Sequence, residues 1–147
     1  MIRKIILALL IIFLSTNQTF SQKSKTLFIP VNKTYKIGFY KYDKKFQLYQ
    51  NPFILKGKKK YKIIGYDTNN SYSGGEILSI SPNKKYIILD NISKGYVDDG
   101  TNKTLYENYS CVIIDLYNKK VLLEMQDDCG GNWNKENEWI SNEKLIF

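Results

Sequence analysis

The chain has 147 residues, 43% hydrophobic and 24% charged, which suits one globular domain and excludes a disordered or fibrous polymer. It holds no His, and its only Arg is Arg3. A Ser-His-Asp triad, a Cys-His pair and a His-ligated zinc are therefore excluded, and beyond residue 3 so is an arginine finger. No cofactor or metal is expected.

Met1 to Lys4 is short and basic, Ile5 to Leu14 is an unbroken apolar run, and Ser15 to Gln22 is polar. That order is the order of a secretory signal peptide. Ten helical residues rise only about 15 Å, half of a bilayer's hydrocarbon core, so a spanning helix is not expected. The small residues Thr19 and Ser21 place cleavage before Gln22. The expectation is a leader at 1–21 and a single domain at 22–147, exported to the periplasm or secreted.

From Lys23 onward the pattern has period two, with turn chemistry every eight to twelve residues. Thr34 to Tyr42 alternates, Asp43-Lys44-Lys45 turns it, and Phe46 to Gln50 returns until Pro52 interrupts. Phe53 to Leu55 resumes the strand, and Lys56 to Lys60 reads as a hairpin tip leading into Tyr61 to Tyr66. Asp67 to Gly75 is the one long loop and the only candidate internal boundary. Glu76 to Ser81 and Lys85 to Asp90 flank a turn in which Pro82 presets φ and Asn83 tolerates the strained third position. Asn91 to Glu107 is a long connection or an extended hairpin end. Tyr109 to Leu116 and Val121 to Met125 flank a turn at 117–120, and Trp139-Ile140 and Leu145 to Phe147 flank another at 141–144. The twelve Tyr suit half-buried pleated surfaces. The expected fold is all-β: a small antiparallel meander forming a curved sheet, sandwich or barrel.

Gly75 to Asp90, Cys111 to Leu123 and Trp139 to Phe147 together resemble one blade of the Tol-type periplasmic β-propellers. Ser81-Pro82-Asn83-Lys84-Lys85 stands where those blades carry Ser-Pro-Asp-Gly-Lys, and Asp115-Leu116 stands at the third-strand position. The likeness covers residues 75–147 and implies a binding scaffold without catalytic residues. A propeller needs about four blades of ~40 residues, so the chain is too short to be one.

Two Cys in an exported chain read as one disulfide, Cys111 to Cys129. With Asn118-Lys119 at the hairpin tip, Cys111 would face Gln126, and the chain curling back at Gly130-Gly131 would bring Cys129 within reach. Such a bridge contributes about 3 kcal/mol on the chain-entropy model.

Acid pairs stand at Asp98-Asp99, Asp127-Asp128 and Glu136/Glu138. Two facing carboxylates can hydrolyse a glycoside without His, whereas adjacent acids in Gly/Asn-rich loops more often solvate turns. Asp98 to Asn102 lacks the ligand alternation of an EF-hand loop. Asp127 to Trp139 gathers two Trp with amides and carboxylates, as a sugar or peptide site would. The alternative is that Trp139 is core and Trp133 caps the sheet. Lys58, Lys59, Lys60 and Lys62 form a basic run suited to an anionic surface, or equally a solvated hairpin tip whose edge lysines block sheet-to-sheet pairing.

Charge divides the chain. Residues 22–62 carry twelve Lys and one acid, Asp43, whereas residues 63–147 carry eight Lys and thirteen acids. The expected function is an exported, non-enzymatic binding module whose partner is an envelope protein, a wall polymer or an anionic membrane surface. Its candidate binding residues are Lys58, Lys59, Lys60, Lys62, Trp133 and Trp139. Export argues against nucleic acid, and a monomer is expected. The alternative is a small carboxylate-based hydrolase of envelope glycans.

Overall fold

The structure, a computed structural model, describes residues 27–73, 78–126 and 129–147. The leader at 1–21, the cleavage point at Gln22 and the pair Asp127-Asp128 lie outside those residues. Every regular element among the described residues is a strand, and every named strand pairing is antiparallel.

The strands are β1 (Phe28–Pro30), β2 (Tyr35–Asp43), β3 (Leu48–Lys56), β4 (Lys59–Lys62), β5 (Ser71–Tyr72), β6 (Leu78–Ile80), β7 (Tyr86–Asp98), β8 (Lys103–Asp115) and β9 (Lys120–Met125). These nine form one sheet in the order β1-β2-β3-β5-β7-β8-β9, with β4 also on β3 and β6 also on β7. A second sheet contains β10 (Asn132–Trp133), β11 (Trp139–Ser141) and β12 (Lys144–Leu145). The large sheet curls without closing into a barrel. Its nearest approach to closure is Ile64, just past β4, which donates its N–H to the Lys119 carbonyl and accepts from Val121 N–H, both at 2.8 Å.

Turn chemistry specifies the hairpins. Asp43 Oδ1 accepts from the N–H groups of Lys45 and Phe46, and Asp115 Oδ1 accepts from those of Tyr117 and Asn118. In both turns the residue before the returning strand is left-handed, Gln47 at φ 58° and Lys119 at φ 56°. Asn142 and Glu143 both have positive φ, 49° and 61°, as a two-residue type I′ hairpin requires. At the β6–β7 turn the left-handed residue is Lys84, at φ 58°, not Asn83. Asn83 instead uses its Oδ1 to accept from Ser81 Oγ and Lys85 N–H.

Three sequence expectations are corrected. Pro52 does not interrupt a strand: β3 runs through it, with Pro52 opposite Phe39, and the irregularity falls on Asn51 at φ 55°. The expected loop at 67–75 contributes β5, a two-residue strand wedged between β3 and β7. Cys111 faces Met125 rather than Gln126, because the turn closes at Asp115↔Lys120 and a bulge between Ile113 and Ile114 shifts the register.

Alternation sends two faces of β7 and β8 into two cores. Ile87, Leu89, Val112 and Ile114 point inward with Ile37 and Ile54. Ile88, Cys111 and Ile113 point the other way, under Cys129 and Trp139. This double burial is why both strands read as continuous aliphatic runs. The disulfide Cys111–Cys129, with Cα atoms 5.1 Å apart, ties the small sheet's approach to β8.

Candidate functional site

The strand register sorts the basic run. Lys60 stands opposite Leu55 and Lys62 opposite Phe53, so both share the outer face of β3, whereas Lys59 pairs with Lys56 and shares the opposite face. Lys58 sits in the two-residue turn after Gly57, whose φ of 59° suits glycine. Lys36, opposite Leu55 on β2, joins Lys60 and Lys62. All three are exposed. The sequence reading missed Lys36, whose period-two placement on β2 was a usable signal only once the β2–β3 register was known.

Between these lysines lies an aromatic cluster. Phe28 and Phe53 flank the cross-strand position of Gly38, and a Cβ there would overlap the Phe53 ring and lie 2.9 Å from Phe28. Glycine thus opens the space the rings occupy. Tyr40 packs on Phe53 at 4.4 Å between centroids, and Phe28 meets its edge at 6.1 Å. Lys60 Nζ stands 4.8 Å from the Phe53 centroid and 5.3 Å from that of Tyr40, within cation–π range. Phe53 is consequently 1% exposed, while Phe28 and Tyr40 remain about half open at 43% and 52%. Strands β1 to β4 carry one carboxylate, Asp43, which is committed to its turn.

Beside the cluster is a recess of about 260 Å³ lined by Tyr40, Pro52, Lys62, Ile63, Tyr66 and Thr68. Pro52 and Ile63 are its apolar lining, and Lys62 adds an ammonium, Asn51 an amide, and Tyr40, Tyr66 and Thr68 three hydroxyls. The Tyr66 hydroxyl donates to Asn91 Oδ1 at 2.6 Å. Burial, then the charges of Glu124 and Asp67, push its pKa far above the ordinary phenol range, so it stays neutral.

The tryptophans occupy the other end of the sheet. Trp139 is 1% exposed, and Trp133 meets it at 5.3 Å and stacks on Tyr86 at 6.2 Å. Gly131 approaches so closely that a Cβ there would stand 2.8 Å from the Trp139 ring. The geometry of both Trp is that of a packed aromatic cover over β7 and β8, and no contact joins them to the lysines of β4 among the described residues.

Asp98, Asp99 and Glu138 serve local geometry. Asp99 accepts from Thr101 N–H, the Thr101 hydroxyl and Asn102 N–H, and these bonds hold its pKa down at about 2. Asp98 accepts from Gly100 N–H, and Glu138 from the Asn134 amide. No cluster of three or more metal-ligating side chains occurs among the described residues. No family model matches the chain, and neither a curated protein nor a solved structure does.

Proposed function

We propose that the protein is an exported, non-enzymatic binding module whose outer β1–β4 face holds an anionic wall polymer. The observation that carries this reading is Lys36, Lys60 and Lys62 standing around the Phe28–Phe53–Tyr40 cluster on a face whose strands offer no opposing free carboxylate. Ammonium groups attract a polyanion, and half-open rings stack on the apolar side of a sugar. The recess beside Tyr40 has room for one ring-sized unit, with Lys62 and Thr68 in its lining. A polymer is favoured over a bilayer because Phe53, the centre of the cluster, is covered and the other two rings are only about half exposed, which leaves little apolar surface to insert. The leader-like start and the disulfide agree with an oxidising compartment outside the cytoplasm; intact-mass analysis of the exported protein should find Gln22 as its first residue.

The test is affinity electrophoresis through gels containing polygalacturonate, with dextran as the neutral control and anionic-lipid vesicle flotation as a second arm. The wild type should be retarded by the polyuronate alone, and less so as salt shortens the Debye length to ~8 Å and below. Replacing Lys36, Lys60 and Lys62 with Gln should weaken binding about tenfold, since three exposed contacts of about 0.5 kcal/mol each amount to that. Replacing Lys58 and Lys59 should cost much less. Equal losses in the two variants, or retention by vesicles and not by polymer, would overturn the reading.

A further inference from the structure

The outer half of the β7–β8 hairpin carries a strand edge with no partner among the described residues. β7 and β8 pair over their full length, from Tyr86↔Asp115 to Asp98↔Lys103. β5 meets β7 no further out than Ile92, and β9 meets β8 no further out than Cys111. Beyond those points the hairpin is a two-stranded ribbon, an arrangement only marginally stable by itself. Tyr96, Val97, Leu105, Tyr106 and Tyr109 lie on it, each between 43% and 58% exposed. They are half of the exposed large hydrophobic residues in the described structure.

The two sides of the ribbon differ. Beside β7, the β2–β3 turn gives partial cover, with the Phe46 ring 6.0 Å from Tyr96 and Lys45 Nζ 4.4 Å from the Tyr96 centroid. Beside β8, Asn108 is tied to Gln126 at 2.9 Å, and from Lys103 to Glu107 no strand adjoins. That stretch, Lys103-Thr104-Leu105-Tyr106-Glu107, holds no Pro, and its single lysine, Lys103, stands at its outer end. Within the ribbon Lys94 Nζ stands 2.7 Å from Glu107 Oε1, and Lys103 Nζ stands more loosely, 3.7 Å from Asp98 Oδ2, with both of those side chains open to a neighbour. The result is a nearly neutral, half-apolar surface that suits a protein partner rather than a polyanion.

We propose that this edge pairs with the same edge of a second copy of the chain, antiparallel and two-fold, centred on Leu105. In that register Leu105 meets its own counterpart, and Lys103 of each copy stands opposite Glu107 of the other, twice by symmetry. A register centred on Tyr106 would instead set Lys103 opposite Tyr109 and Leu105 opposite Glu107, losing both charge pairs. The interface is small, so the dimer forms at high protein concentration.

Sedimentation velocity on the full domain tests this. The wild type should shift toward twice the monomer mass as its concentration rises to about 0.5 mM. Lys103→Glu and Glu107→Lys should each stay monomeric, because like charges then face each other across the axis. Mixed one to one they should associate, since the carboxylate introduced in one chain faces the ammonium introduced in the other. Leu105→Lys leaves both intrachain ion pairs in place and should also be monomeric, which covers the case of a misfolded charge variant. A wild type that stays monomeric throughout, or a mixture no heavier than its components, overturns the proposal.

Discussion

Phe53 lies over Gly38, its cross-strand partner, so closely that a Cβ at position 38 would overlap the ring. Phe53 cannot move outward, because Tyr40, Phe28 and the Lys60 ammonium close over it. Gly38→Val should therefore destabilise the protein by about 1–3 kcal/mol through overpacking. Urea denaturation checks this, and the variant should also bind polyuronate more weakly because the ring cluster is displaced.

Replacing Cys111 and Cys129 with Ala should cost about 3 kcal/mol, the loop-closure entropy restored to the unfolded chain. The readout is thermal denaturation followed by tryptophan fluorescence, because Trp139 packs with both cysteines in the second core. Loss of stability without any change in the folded spectrum would mean that the bridge acts on the unfolded chain alone.

Asp115 titrates below the ordinary carboxylate range. Its burial opposes the charge, but N–H donors from Asn118 and Tyr117, with Lys85 nearby, outweigh that cost. A depressed folded pKa favours the folded state above the unfolded value near 3.9, and that stabilisation disappears as pH falls through the folded value. Asp115→Asn should thus be less stable than wild type at pH 7, with the gap narrowing below about pH 4. Carboxyl NMR should give Asp115 a midpoint below 3.9.

Tyr66→Phe removes the hydroxyl that donates to Asn91, a residue with no exposed surface. The cost should be about 1–3 kcal/mol, as for any buried polar group stripped of its partner. In the wild type the raised phenol pKa favours folding below the unfolded value, so stability should fall as pH rises above about 10. Ultraviolet difference titration should find one tyrosine that ionises only on unfolding.

Local signals carried much of the fold. The period-two alternation of Tyr35, Ile37 and Phe39 against Lys36 and Gly38 placed β2, and the aliphatic runs placed the buried parts of β7 and β8. Asp43, Ser81 and Asn142 marked turns that are present. Asn91 to Glu107 stayed ambiguous because Lys94 and Glu107 look like loop residues until their ion pair shows that they face each other across a hairpin. Pro52 misled for a similar reason: a missing N–H breaks a strand only where the ladder needs a donor at that position.

The candidate site was legible in part. Lysines 58, 59, 60 and 62 form one cluster in the sequence, yet alternation splits them between a turn and two faces. Phe28, Tyr40 and Phe53 are far apart in the chain, and only pairing of three strands sets them together.

By itself, the sequence determined the all-β class, most turn positions and the pairing of the only two cysteines, because those depend on local backbone preference and on elimination. The tertiary structure decided which lysines share a face with aromatic rings, that β5 joins the two halves of one sheet, and that no strand among the described residues lies beside the outer edge of β8. Those outcomes depend on register and sheet order. A side-chain period of two fixes faces within a strand, but which strand lies alongside is settled by contacts distant in the chain.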